Sequence, residues 1–159
     1  MNDAPDASSN FIWPPTIFGG ATIIALAHGW IAPSQIVPPG AARTAIFIAG
    51  ATLLCEGAII ALWAEIGFMR AGTATLPTRP TTAIVESGVY RFTRNPMYLG
   101  MSLALAGCAG LLNSWWFLLA LPFAIFAVTK LAIEREETYL ERKFGADYLA
   151  YKERVRRWI

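Results

Sequence analysis

The sequence predicts an all-α integral membrane protein, a helical bundle with four transmembrane helices and a C-terminal amphipathic helix on the cytoplasmic side. The chain of 159 residues is 55% hydrophobic and only 15% charged. Its mean hydropathy of +0.45 is too apolar for an ordinary soluble domain. Four apolar runs approach the length that crosses a bilayer, and most charged residues lie outside them.

The four apolar runs set the predicted boundaries. The spans are drawn at 15–32, 45–66, 97–112 and 114–133, with a cytoplasmic connection at 67–96 and a cytoplasmic tail at 134–159. About 20 apolar residues cross the hydrocarbon, and shorter runs need tilt or local thinning of the bilayer. Only Asn113 and Ser114 separate the last two runs, which predicts a tight antiparallel hairpin. No repeat or linker divides the chain, so we expect one domain over 1–159.

Basic residues predict the orientation. The chain has 13 Lys and Arg residues, and all except Arg43 lie in the connection or at and after the end of the last span. Lys and Arg near span ends are retained on the cytoplasmic side, so the N-terminus, the connection and the tail are expected there. The first run follows an acidic segment without a basic region, so it is expected to be retained as a span.

The tail has an amphipathic pattern. Apolar side chains recur three or four residues apart between charged ones: Leu140, Phe144, Tyr148, Tyr151, Val155 and Trp158. Such a helix can fold under the bundle, or it can lie on the membrane surface, where the basic residues of 154–157 would contact anionic lipid. Both interpretations remain open from the sequence.

Glu136 is the candidate functional residue of the tail. It shares a helical stripe with Leu140 and Phe144, which places a carboxylate on the apolar side. Glu137 turns about 100° away, so we expect it to meet solvent and nearby basic residues, as most helix-surface acids do.

The start of the third span brings together groups that can bind a ligand. Pro96 suits the first turn of a helix, and Asn95 before it is expected to act as the N-cap. Arg94, the helix N-terminus and Tyr98 then converge. They can hold an anionic group and present an aromatic face to a base or a cation.

Two neighbouring residues extend this group. Tyr90 is a second aromatic residue before Arg94, and Gly100 allows another backbone or a ligand to approach closely. Polar groups are costly at the edge of hydrocarbon, so their clustering here indicates a ligand site.

Glu56 falls in the middle of the second span, where a carboxylate is costly unless it is neutral, paired or facing a cavity. It is predicted either to line the path of a substrate or to form a buried hydrogen bond with a neighbouring helix. His28 and the two separated cysteines, Cys55 and Cys108, do not suit a zinc site, so no metal is expected. A net charge of +2 gives no indication of nucleic acid.

Two motifs carry a resemblance to a known family. Gly88-x-Tyr-x-x-x-Arg-Asn-Pro-x-Tyr-x-Gly100 is followed, after a hydrophobic hairpin, by Glu136-Glu-x-x-Leu-x-x-x-Phe-Gly-x-x-Tyr-x-x-Tyr151. The pair resembles the isoprenylcysteine carboxyl methyltransferase and phospholipid methyltransferase superfamily of integral membrane enzymes, in its bacterial type, and this resemblance implies a bacterial inner membrane. The resemblance covers roughly Thr73 to Trp158, about half the chain.

The resemblance implies S-adenosylmethionine as cofactor, bound at the cytoplasmic end of the hairpin, and in-line transfer of its methyl group to a lipophilic acceptor. That acceptor would be an isoprenylcysteine-like carboxylate, a phospholipid amine or a hydrophobic thiol, with membrane lipid as a further partner. Glu136 and Arg94 would be the catalytic residues. The implied cofactor-binding residues are Ile84, Val85, Tyr90, Arg94, Asn95, Pro96, Met97, Tyr98, Gly100 and Glu136.

Two departures from the family pattern bear on chemistry. Many members have His where this chain has Asn95. Unlike His, Asn cannot act as a base near neutral pH. The eukaryotic prenylcysteine enzymes have an arginine one helical turn before the glutamate, where this chain has Ala132. Two other classes remain open from the sequence: an NAD(P)H-dependent membrane reductase of related fold, and a non-enzymatic membrane scaffold or transporter subunit.

Overall fold

The computed structural model describes residues 13–72 and 81–159, and all regular structure within these residues is helical. The N-terminal acidic segment and part of the predicted connection, including Arg79, lie outside the described residues. The predicted all-α fold class is confirmed. The helices are α1 (Pro14–Ile31), α2 (Ala41–Arg70), α3 (Pro96–Leu112), α4 (Trp115–Val128), α5 (Glu134–Phe144) and α6 (Ala146–Arg154), with a 3₁₀ turn at Gly88–Arg91 and a π-helical turn at Thr129–Ile133.

Within residues 13–72 and 81–159, two helical segments are long and apolar enough to cross a membrane. They are α2 and the stretch Trp115–Phe144, in which α4 continues through the π-helical turn into α5. The apolar helix α3 is shorter, with 17 residues. By length and composition these segments support a membrane protein, and the crossing of the bilayer by four helices stays a prediction.

Glycines bring α2 and α3 into close contact. A Cβ atom on Gly50 would lie 2.6 Å from the carbonyl oxygen of Gly107, so an alanine there would collide with the α3 backbone. Arg43 closes the same interface, because its Nη1 and Nη2 donate to the carbonyl oxygens of Gly110 and Leu111 at 3.0 and 2.9 Å. A cation is favourable at the C-terminal end of a helix, where carbonyl groups lack intrahelical partners.

The hairpin between α3 and α4 is fixed by Asn113. This residue has φ of 51°, a left-handed conformation that ends α3. Its Oδ1 accepts hydrogen bonds from the backbone N–H groups of Ile36 and Val37, both at 3.1 Å. The side chain thereby joins the hairpin to the segment after α1, and this end of the bundle lies opposite the start of α3.

The tail differs from the single amphipathic helix that the sequence predicted. Gly145 separates α5 from α6, because its φ of 54° and ψ of −123° interrupt the helix. Few residues other than glycine adopt such a conformation. The tail also folds under the bundle. Its buried residues Tyr148, Tyr151 and Val155 form a small core with three partly buried side chains, which are Ile84, Leu140 and Phe144.

Candidate functional site

The C-terminal segment holds the start of α3 in place. The backbone N–H of Arg94 donates to the carbonyl oxygen of Arg156 at 3.0 Å. The carbonyl oxygen of Arg157 accepts from Asn95 Nδ2 at 2.9 Å and from Thr93 Oγ1 at 3.2 Å. Asn95 occupies the N-cap position of α3, as predicted. The expected side-chain cap is absent, because the amide is turned toward the tail and makes no capping hydrogen bond.

Tyr98 and Glu136 meet across the site. The Tyr98 hydroxyl donates to Oε2 of Glu136 at 3.0 Å, which ties the first turn of α3 to the first turn of α5. A carboxylate can accept about four hydrogen bonds through its two oxygens. This bond therefore leaves most of the accepting capacity of Glu136 for a ligand.

Glu137 is the centre of a buried ionic junction. Its side chain is 8% exposed, and its two oxygens contact Arg94 on one side and Arg157 on the other. Arg157 binds it with both Nε and Nη2, at 3.0 and 2.7 Å, and these hydrogen bonds raise the pKa of the Arg157 guanidinium. The prediction that Glu137 would meet solvent is wrong, because the C-terminal segment folds back over this face of α5.

Arg94 is only partly satisfied by this junction. Its Nη1 lies 3.1 Å from Oε1 of Glu137, and its side chain is 8% exposed. Nevertheless both Nε and Nη1 are buried without a hydrogen-bond partner, because the approach to the carboxylate is poorly aligned. Buried polar groups are normally paired, so these two donors set Arg94 apart from the other charged groups of the junction.

Aromatic side chains form the wall beside this group. Tyr90 is buried, packs edge-on against Phe68 with ring centroids 5.3 Å apart, and accepts a hydrogen bond on its carbonyl oxygen from Tyr151 Oη at 2.8 Å. Burial, reinforced by the Glu137 carboxylate, raises the pKa of Tyr148 to about 12. Tyr148 is therefore a neutral hydroxyl at physiological pH.

The other predicted cofactor residues occupy different surroundings. Val85 is buried beside Tyr90, with Met97 packed against that cluster, whereas Ile84 packs on the tail core. Gly100 was expected to admit either a backbone or a ligand. The structure places it against α2, where a Cβ atom would lie 2.5 Å from the Gly57 carbonyl oxygen, so the close approach is that of a second backbone.

Glu56 is exposed on α2, and no hydrogen bond or ion pair joins it to another of the described residues. The buried hydrogen bond that the sequence allowed is therefore not formed among them, and a role of Glu56 on the path of a substrate stays a prediction. Among the described residues, no three His, Cys, Asp or Glu side chains come close enough to hold a metal ion.

Sequence reasoning did not assign four residues that build the site: Thr93, Glu137, Tyr151 and Arg157. Tyr151 had a signal, because it belongs to the second motif and to the apolar stripe of the tail. Thr93 and Arg157 had none, since their roles depend on the tail returning to the start of α3.

Comparison with known proteins identifies a family. The family model described as phospholipid methyltransferase matches residues 45–147, about two thirds of the chain. An uncharacterized protein of Haemophilus influenzae is 41% identical over 63 residues, which are 40% of this chain and 100% of that protein.

Proposed function

Because the chain belongs to the phospholipid methyltransferase family, we propose that it is an S-adenosylmethionine-dependent integral membrane methyltransferase that acts on a lipophilic acceptor. The proposed cofactor site lies at the start of α3, between Arg94, Tyr98 and Glu136. In the proposed topology this end of the bundle faces the cytoplasm, so the cofactor enters from water and the acceptor from the bilayer.

The observation that carries this proposal is the buried Nε donor of Arg94, which has no hydrogen-bond partner, beside an Nη1 that meets Glu137 only in an ion contact. A guanidinium with such spare donors suits a carboxylate, which accepts strong, charge-assisted hydrogen bonds. The amino-acid portion of S-adenosylmethionine has such a carboxylate. The adjacent N-terminus of α3, which begins at Pro96 without a side-chain cap, favours the same negative charge.

Glu136 and the tyrosines suit the remainder of the cofactor. The unoccupied accepting capacity of Glu136 fits ribose hydroxyls or an amino group. The faces of Tyr90 and Tyr98 fit an adenine ring or a sulfonium, because aromatic faces attract cations. These assignments give Arg94 and Glu136 their proposed contacts with the cofactor.

Methyl transfer from S-adenosylmethionine requires that the reactants be positioned, and it does not require a nucleophilic residue on the protein. Bound S-adenosylmethionine supplies a methyl group that its sulfonium already activates. Arg94 and Glu136 would hold the cofactor in one orientation, and the buried aromatic wall would exclude water. Asn95 points its amide at the Arg157 carbonyl oxygen, and we assign no general base there.

The residue at position 132 bears on which class of acceptor the protein methylates. Ala132 lies between α4 and α5 and is 0% exposed. Because this residue is an alanine, the chain has no cation at the position where the prenylcysteine enzymes that it resembles have an arginine. A phospholipid amine, which needs no cation to bind it, suits this chain better than a carboxylate does. A lipidated carboxylate and a hydrophobic thiol are the acceptors to compare with it.

Isothermal titration of the detergent-solubilised protein tests the proposal. S-adenosylmethionine and its demethylated product should bind, and NADPH should not. Arg94→Gln and Glu136→Gln should each weaken binding about tenfold or more, because hydrogen bonds to charged groups are worth about 1.5–3 kcal/mol.

Arg91→Gln is the matched control, since Arg91 lies three residues away and is exposed. It should leave the affinity unchanged. Unchanged affinity in both site variants would reject the proposed site. Binding of NADPH alone would support a reductase, and binding of neither nucleotide a scaffold or transporter subunit.

A further inference from the structure

The outer face of α2 has a regular stripe of exposed residues. Its members are spaced alternately by four and three positions and are all exposed: Ala45, Ala49, Thr52, Glu56 and Ile59. We call this the Glu56 stripe. A spacing that averages 3.5 residues keeps one face of a helix in contact with a second helix along a left-handed crossing.

This stripe is unpartnered within the described parts of the chain. The helix α2 packs chiefly on α3, through a different face that contains Gly50 and Gly57. Thr52 satisfies its own hydroxyl, which donates to the Ile48 carbonyl oxygen at 3.0 Å. Glu56 has no hydrogen-bond or ion-pair partner among the described residues.

Such an arrangement is costly in a membrane. The helix α2 is long and apolar enough to span the bilayer, and Glu56 lies near its middle. A carboxyl group facing lipid tails finds no hydrogen-bond partner, and ionisable residues within spans therefore face protein or water. A second protein surface covering Glu56 would remove this cost.

We propose that the Glu56 stripe binds a second copy of this chain in a parallel, two-fold symmetric dimer. All copies of a membrane protein share one orientation, so a two-fold axis along the membrane normal aligns α2 with its counterpart. A residue beside that axis then meets the same residue of the second copy.

Glu56 suits this symmetry because it is complementary to itself. Two carboxyl groups can satisfy each other when they hold at least one proton between them, because the protonated group donates and the other accepts, so the proposed contact includes that proton. An unlike partner would have to bring a polar group to the same depth, whereas a second copy does so by symmetry. The small residues Ala45 and Ala49 let the two backbones approach, as is usual between membrane helices.

Chemical cross-linking of the full chain in lipid nanodiscs and native mass spectrometry test the dimer. Cys55 is exposed beside Glu56, so a short bismaleimide should link two copies in a Cys108→Ser background. Glu56→Leu should weaken the dimer about tenfold. Glu56→Gln should preserve it, because an amide also donates and accepts.

Leu62→Ala is the matched control, since Leu62 is 63% exposed on α2 but lies off the stripe. It should leave the dimer unchanged. Thermal unfolding checks that Glu56→Leu is folded, and replacing a lipid-facing carboxylate by leucine should not unfold the monomer. A wild-type monomer at all concentrations, a different protein bound at the stripe, or a Glu56→Leu variant that dimerises as wild type would each overturn the proposal.

Discussion

Replacing Glu137 by alanine should be among the most destabilising single changes in the tail. The substitution leaves the Arg94 side chain, 8% exposed, with a guanidinium that no carboxylate compensates. It also removes both hydrogen bonds that the Arg157 guanidinium donates to Glu137. Removing one partner of a buried ion pair costs about 3–5 kcal/mol, because a charge remains in a medium that solvates it poorly.

Thermal unfolding in detergent, followed by intrinsic fluorescence, measures this cost. A loss of about 3 kcal/mol lowers Tm by roughly 6–12 °C in a chain of this size. Glu134→Ala is the control, because Glu134 lies on the same helix and pairs with Lys130 at a site where both side chains are well exposed. Exposed pairs contribute about 0–1 kcal/mol. Equal shifts for the two variants would refute the buried junction.

Two further predictions concern packing and pH. Gly50→Ala should destabilise the protein by about 1–3 kcal/mol, because the new methyl group collides with the Gly107 carbonyl oxygen. Burial raises the pKa of Tyr148 from 10.0 to about 12, so the folded protein binds more protons than the unfolded chain between these values. Its contribution to stability is intact below pH 10.0, falls as pH rises toward 12, and should vanish in Tyr148→Phe.

The unfolding temperature measures both effects, and each has its own control variant. Gly19→Ala should not destabilise the protein, since a Cβ atom on Gly19 meets nothing within 4 Å. Equal losses in Gly19→Ala and Gly50→Ala would contradict the close approach of α2 to α3. A Tyr148→Phe variant with the same alkaline loss of stability as wild type would show that Tyr148 is not the group concerned.

The positions of the helices could be predicted from the sequence, because apolar runs and helix-starting residues such as proline act through neighbouring residues of the chain. The third helix was predicted at 97–112 and begins one residue earlier, at Pro96, since proline fixes the first turn. The second was predicted at 45–66 and extends to Ala41–Arg70. Hydropathy locates the apolar interior of a span, but helical hydrogen bonds continue beyond it at both ends.

Contacts between distant segments were harder to predict. The apolar stripe placed Leu140 and Phe144 on one side of the tail helix, and the structure decides between the two open interpretations, because both residues pack on the small core of the tail. It assigned Glu137 to solvent, because a single helix gives no sign that residues 155–157 return over its opposite face. The side chain of Asn95 was misassigned for the same reason, since its partner is the Arg157 carbonyl oxygen.

Glu56 shows a different limit. Its cost in a span was evident from the sequence, but whether it faces the bundle or the outside depends on which face of α2 packs against α3. The glycines decide this, since Gly50 and Gly57 must face the α3 backbone and thereby turn Glu56 outward.

A structure determined with bound S-adenosylhomocysteine tests the central claim most directly. We expect the carboxylate of its amino-acid portion within hydrogen-bond distance of Arg94 Nε or Nη1, and a ribose or amino group on Glu136. A nucleotide bound elsewhere, such as in the cavity beside Asn113 and Phe117 at the opposite end of the bundle, would contradict it.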